Sequence, residues 1–330
     1  MSETPRPWPR ADLESVPRCP VCGSAERSLL YTGLTDRVFC VADGAWDLYR
    51  CAQCASGYLD PRPTPESIGR AYAGYYTHDA EDHPTVRRKG RIRSLLHDLV
   101  NGYQNHRYGL QRSPALPIGR WLLPLLPAGG GRLLDVGCGN GGFLMLVRQA
   151  GWQVEGLDFD AGAVQAARSR GLEVHHGGIE VLGGCSACYD VITLCHVIEH
   201  VHDPITTLRR LHALLKPGGV LWLDTPNLAS LGAVRFGPHW RGLETPRHLV
   251  LFCSASMSDA LTKSGFHSLR QYWRGLSLFN VFAPSEALAR GESATDASHQ
   301  GRPPLRDVLA ELREMAQPAR REFLTLSARK

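Results

Sequence analysis

Residues 133–142, Leu-Leu-Asp-Val-Gly-Cys-Gly-Asn-Gly-Gly, restrict the fold more than any other stretch of the chain. Leu133, Leu134 and Val136 read as a short buried parallel strand. The glycines read as a turn, and Phe143, Leu144, Leu146 and Val147 as the apolar face of a helix. A strand, a glycine turn and a helix N-terminus make a place where backbone N–H groups can approach a ligand closely. Asp135 precedes the turn, and Asp158 ends the next expected strand. Two carboxylates around such a turn suit a ligand with hydroxyls and a positive charge better than one with phosphates.

From Trp121 onward strands and helices alternate, the pattern of a doubly wound, Rossmann-like α/β fold. Strands are expected at 132–136, 152–158, 172–176, 189–195, 220–225 and 266–273, with a last one in 322–328, seven in all. The last should lie antiparallel beside 220–225. Helices are expected at 141–150, 161–170, from Asp203-Pro204 to Leu215, and at 255–264. Residues 276–318 then form an insertion, helical over 308–316 and loose over 291–304. In such sheets the ligand lies at the carboxyl ends of the strands. Topology alone puts Asp135 to Gly139, Asp158, Gly178 to Glu180, Cys195 to His200, and Thr225 onward there.

Ahead of this domain stand Cys19-Pro-Val-Cys22 and Cys51-Ala-Gln-Cys54. Each C-x2-C knuckle lets two thiolates reach one tetrahedral ion, and two knuckles close a four-sulfur shell. Leu29–Tyr31, Val38–Val41 and Leu48–Arg50 between them read as short strands. The expectation is a zinc ribbon over residues 1–60 with Cys19, Cys22, Cys51 and Cys54 as ligands. A closed shell leaves no position for water, so the metal is structural. Cys40 reads as a core residue.

Asp60-Pro-Arg-Pro-Thr-Pro opens a linker and helical cap at 61–114, and the main domain takes 115–330. Tyr72, Tyr75 and Tyr76 either wall the ligand pocket or pack between modules. Residues 87–112 carry Ile92, Leu95, Leu96, Leu99 and Val100 at helical spacing among basic residues, a cap helix with a solvated face. The segment Met1–Arg18 is polar and reads as no signal peptide, and no apolar run is long enough to span a bilayer. The compartment expected is the cytoplasm, where ten cysteines stay reduced. A formal charge of +5 over 330 residues is little reason to expect nucleic acid.

Gly137-x-Gly139-x-x-Gly142 also matches the dinucleotide fingerprint, which alone is weak. A pyrophosphate, however, would be repelled by Asp135 in the mouth of the turn. S-adenosylmethionine, with its ammonium and sulfonium, would be favoured there.

The chain resembles the class I S-adenosylmethionine-dependent methyltransferases over roughly residues 115–275. The likeness is carried by Leu134-Asp-Val-Gly-Cys-Gly-Asn-Gly, Gly156-Leu-Asp158, Tyr189-Asp-Val-Ile, His196-Val-Ile-Glu-His200-Val-His-Asp-Pro204 and Leu215-Lys-Pro-Gly-Gly219. Arg247-His-Leu looks like the small-molecule branch that includes ubiquinone-type O-methyltransferases. The ribbon, Asp60-Pro-Arg-Pro and the tyrosines are similar to bacterial methyltransferases of natural-product and cell-surface sugar pathways. The resemblance implies that Asp135, Gly137, Cys138 and Gly139 cradle the methionine part of the cofactor. Asp158 would hold the ribose, Phe159 flank the adenine, and Gly178 and Ile179 reach its edge. Cys195 and His196 would line the floor. Many relatives have Asp or Thr where Gly178 stands. Cys185-Ser-Ala-Cys188 reads as a chance pair.

The reaction expected is methyl transfer to a hydroxyl of a small polar acceptor, a sugar or other biosynthetic metabolite. An oxygen nucleophile must lose its proton, and His is the usual agent near neutral pH. His196, His200, His239 and His248 are candidates, with His196 and His248 preferred. The long polar-aromatic loop 226–253 is expected to bind the acceptor. Carbon methylation of a nucleotide sugar is one alternative. RNA methylation through the ribbon is another, disfavoured because residues 19–60 lack a basic excess. Nothing in the sequence sets an oligomeric state.

Overall fold

The computed structural model describes residues 7–72, 130–273, 278–294 and 304–330. Tyr75, Tyr76, the basic stretch 87–112 and Trp121 lie outside these residues, as does part of 291–304.

The strands are β1 Leu13–Glu14, β2 Arg27–Leu34, β3 Trp46–Cys51, β4 Gly57–Leu59, β5 Arg62–Pro63, β6 Arg132–Val136, β7 Gln153–Asp158, β8 Glu173–His176, β9 Tyr189–Cys195, β10 Leu215–Pro226, β11 Val250–Leu251, β12 His267–Tyr272 and β13 Phe323–Arg329. The helices are α1 Gly142–Gln149, α2 Ala161–Ser169, α3 Pro204–Leu214, α4 Leu231–Phe236, α5 Ser254–Lys263, α6 Ala283–Arg290 and α7 Leu305–Ala316. The seven expected strands of the main sheet are all present, in the order β12-β13-β10-β9-β6-β7-β8. β6 pairs in parallel with β7 and β9, and β7 with β8. β13 lies between β10 and β12. Asn227 N–H donates to Glu322 O at 2.9 Å and Lys330 N–H to Gly219 O at 3.0 Å, so β13 runs antiparallel to β10 as expected. The insertion holds α6 as well as the expected α7.

The chain divides into two compact units. One comprises Met1–Tyr75, Cys195–His212 and Leu223–Ala328; the other comprises Tyr76–Leu194, Ala213–Trp222 and Arg329–Lys330. In the second unit Leu133, Leu134, Val191, Ile192 and Leu194 are fully buried on the parallel strands, with Leu144 and Val147 of α1. These strands are apolar on both faces because helices cover both. Asp160 caps α2 by accepting Ala163 N–H at 2.7 Å.

The first unit holds a four-stranded sheet, β11-β4-β3-β2. β11 comes from far along the chain, pairing Val250 with Tyr58 and Leu251 with Gly57. Val38–Val41 is not a strand. Asp36 accepts the amides of Phe39, Val41 and Ala42 at 3.0–3.2 Å, and this carboxylate-centred turn replaces the expected ladder. Cys40, in that turn at φ 56°, is exposed and not in a core. Cys185 and Cys188 are paired as a disulfide, where free thiols were expected.

Candidate active site

In the second unit β6 carries Asp135 to the turn, where Gly137 (φ 75°) and Gly139 (φ 54°) adopt left-handed backbone that favours glycine. The turn does not present its amides as the sequence suggested. Gly137 and Cys138 both donate to Leu157 O, at 2.7 and 3.1 Å, and Gly139 donates to Asp158 Oδ2 at 2.8 Å. β7 has taken the donors that a pyrophosphate would need. Contact is close enough that a Cβ on Gly156 would stand 2.7 Å from Cys138 Sγ.

Asp135 is buried, with Thr193 Oγ1 donating to its Oδ1 at 2.6 Å. Its Oδ2 has no hydrogen-bond partner among the described residues. Burial pushes the Asp135 carboxyl up to about 7; the Thr193 hydrogen bond opposes the rise and the charge of Asp158 adds to it. Asp158 Oδ1 accepts Asp160 N–H at 2.9 Å, so each Asp158 oxygen holds one backbone amide and keeps a lone pair. Phe159 beside it is 70% exposed, an uncovered aromatic face. Ile179 begins a short 3-10 turn after Gly178. A Cβ at 178 would meet Glu180 Oε2 at 2.4 Å, and Gly178 N–H donates to Glu180 Oε1 at 3.0 Å. The Glu180 carboxylate thus lies over the face of Gly178. Burial pushes the Cys138 thiol up to about 12, so it stays neutral.

In the first unit Cys195 is exposed and His196 follows it at φ 54°, a strained conformation for a non-glycine residue. The strain is held by His196 N–H donating to Asp224 O at 2.8 Å. The His196 ring has Nδ1 3.3 Å from Glu199 Oε1 and Nε2 3.6 Å from Asp224 Oδ2, and its side chain is 39% exposed. Glu199 is fully buried and accepts Thr225 Oγ1 at 2.8 Å. Burial alone would raise its carboxyl. The His196 hydrogen bond and the fields of His200 and His196 outweigh burial and bring it down to about 2.

His248 does not fit the role of base. It is buried, its Nδ1 donates to Gly242 O at 2.8 Å, and its Nε2 faces Glu244 at 3.7 Å and Glu199 at 3.9 Å. Burial depresses its pKa to about 4, so it is a neutral packing imidazole. His200 Nδ1 lies 2.9 Å from Arg247 O and 3.0 Å from the Tyr72 hydroxyl, so Tyr72 belongs to this cluster. Glu199, His200 and His248 have ligand atoms within 4.8 Å of one another, a spacing that can admit a cation. His239 is elsewhere in the unit, 2.5 Å from Arg37 Nη1. Sequence reasoning missed Thr193 and Asp224. Their signal was a polar residue inside an otherwise apolar strand.

Beneath the loop, Arg247 is fully buried and forks onto Asp36, Nη2 to Oδ1 at 2.6 Å and Nη1 to Oδ2 at 3.0 Å. Its Nη1 also donates to Ala71 O at 2.8 Å. The four ribbon cysteines converge, with Cys19 and Cys54 sulfurs 3.6 Å apart and Cys22 and Cys51 sulfurs 3.5 Å apart. A tetrahedral zinc shell has sulfur–sulfur edges of ~3.8 Å for ~2.3 Å bonds.

The strand order and the acid-flanked glycine turn define a Rossmann-like transferase domain. A methyltransferase-domain family model matches residues 106–271, half of the chain. The chain belongs to the class I S-adenosylmethionine-dependent methyltransferase family. It is similar to the ubiquinone biosynthesis O-methyltransferase of Ruegeria pomeroyi, 34% identical over 160 residues, 42% of this chain and 64% of that protein. The protein of the same name from Dinoroseobacter shibae is 32% identical over 186 residues, 50% of this chain and 75% of its own. The malonyl-[acyl-carrier protein] O-methyltransferase of Serratia marcescens is 30% identical over 175 residues, 52% and 67%. The first of these is thus matched over less than two thirds of its length. Among solved structures, a SAM dependent methyltransferase from Archaeoglobus fulgidus aligns with TM-score 0.46 at 18% identity, over 72% of this chain and 99% of that one.

Proposed function

We propose that this chain methylates a hydroxyl of a small polar acceptor, with His196 as the general base. The observation that carries the reading is His196 itself. It is an exposed imidazole in a strained conformation, directly after β9, held between Glu199 and Asp224. The names of the O-methyltransferase relatives support an oxygen acceptor.

The cofactor-binding residues are Asp135, Gly137, Cys138, Gly139, Asp158, Phe159, Gly178, Ile179 and Cys195. The orphan oxygen of Asp135 suits the ammonium, the spare lone pairs of Asp158 suit the ribose hydroxyls, and the open ring of Phe159 suits the adenine. When bound, S-adenosylmethionine supplies a methyl carbon already activated by sulfonium. The protein's work is alignment and deprotonation. Glu199 fixes Nδ1 of His196 as the proton-bearing nitrogen, leaving Nε2 to accept the acceptor's hydroxyl proton. The imidazolium then stands between two carboxylates, which stabilise it.

Cys19, Cys22, Cys51 and Cys54 hold a structural zinc in the ribbon at 1–60, and 61–114 links it to the catalytic domain at 115–330. No helix among the described residues is long and apolar enough to cross a membrane.

The test is a screen of hydroxylated acceptors by mass for a gain of one methyl, followed by His196→Gln. That change should lower kcat by about 10²–10⁴ while cofactor affinity, read by calorimetry, stays put. Full turnover in the variant would overturn the assignment of the base.

A further inference from the structure

Arg37 of the first unit has no carboxylate partner among the described residues. It follows β2, and its Nη1 lies 2.5 Å from His239 Nδ1 while its Nη2 donates to Leu288 O. The acids nearby are already committed. Asp36 is held by both Nη atoms of Arg247. Glu244 is held by Arg241 Nη1 at 2.5 Å and by Arg247 Nε at 3.3 Å. Asp47, the other carboxylate near the cavity, accepts from Thr32 Oγ1 at 2.8 Å and Gly33 N–H at 3.0 Å, not from Arg37.

Arg37 stands in the wall of a cavity of about 140 Å³, lined among others by Thr32, Thr35, His239, Trp240 and Glu244. A guanidinium has five N–H donors in a planar fork, and Arg37 spends two groups on neutral partners. A half-buried cation without a counter-ion carries a desolvation cost that an arriving anion removes. The fork matches a phosphate or a carboxylate. Glu244 lines the same cavity with its charge matched by Arg241 and Arg247, so Arg37 is the side of the cavity that attracts an anion.

We infer that this cavity is an anion subsite that seats a phosphate or carboxylate group carried by the methyl acceptor. That the ligand is the acceptor rests on the methyltransferase reading above; the anion site itself does not.

The test is calorimetric titration of the full-length, zinc-loaded protein at low ionic strength with inorganic phosphate and, separately, with acetate. One anion should bind, and the tighter of the two identifies the group. Arg37→Gln should weaken that binding at least tenfold, with Arg37→Lys in between. Nuclear magnetic resonance of the wild-type His239 ring during the anion titration keeps the test independent of variant folding, because an anion on Arg37 should move the resonances of the ring bonded to it. If neither anion binds, if Arg37→Gln binds as wild type does, or if His239 does not respond, the subsite is wrong. Cofactor titration of the same sample separates the two readings. Cofactor binding without anion binding refutes the subsite alone, and failure to bind cofactor refutes the methyltransferase reading.

Discussion

At the scale of single residues, Asp135 carries the sharpest consequence. Its carboxyl is pushed by burial from its ordinary 3.8 up to about 7. An ammonium beside it favours the ionised form, so cofactor affinity should rise with pH through about 7 and level off above. For the unliganded fold the sign is opposite, with stability present below 3.8 and lost as pH rises through about 7. Calorimetry at pH 6 and 8, in two buffers of unlike ionisation heat, should show proton release on binding at the lower pH. Asp135→Asn should flatten the profile and cost about tenfold or more in affinity, since hydrogen bonds to charged groups contribute about 1.5–3 kcal/mol. A wild-type affinity that ignores pH would refute the pairing. Asp135 and Asp158 were legible because an acid beside a glycine turn is visible in a string of letters. The burial of His248 was not, because its neighbours Glu199 and Gly242 are brought to it only by folding. Arg37 was illegible for the same reason. Its neighbours His239 and Leu288 stand more than two hundred positions away and are brought to it only by folding.

At the scale of elements, strands with continuous apolar runs were legible nearly to the residue. Tyr189–Cys195 was expected and found, and the amphipathic end of the chain gave β13 its place beside β10. β11 escaped because two residues inside the short apolar run Leu249–Phe252 are too few to show a strand period. The strand expected at Val38–Val41 failed because one carboxylate, Asp36, offered its amides a local alternative. The knuckles were legible from spacing alone. In the second of them Ala55 sits at φ 61°, where the first has Gly23 at φ 81°, so the same turn is built twice at unequal strain. Cys51→Ser should drop the zinc content well below one per chain and lower the melting temperature, because structural zinc supplies folding free energy outright. Elemental analysis that finds full zinc in the variant would refute the ligand set.

At the scale of the molecule, the linear division into ribbon, linker and catalytic domain misses a regrouping. The ribbon segment belongs to one compact unit with Cys195–His212 and Leu223–Ala328. The fork of Arg247 on Asp36 ties the N-terminal segment to the loop at 226–253, and both side chains are fully buried. Asp36→Ala would leave that guanidinium buried against Glu244 and Ala71 O without its main counter-charge, at a cost of about 3–5 kcal/mol. Urea unfolding followed through the transition should show the midpoint fall by that equivalent, and an unchanged midpoint would mean that the pair contributes nothing. Such pairings, more than two hundred positions apart in the chain, are beyond any local pattern. The bond between β4 and β11 has a consequence in time. A chain leaves the ribosome N-terminus first. The knuckles can close while β4 still shows a bare edge, and a bare edge is a template for a neighbouring nascent chain. Covering it requires Val250 and Leu251, so how long that edge stands open is set by the pace of translation, not by the strength of the finished pair.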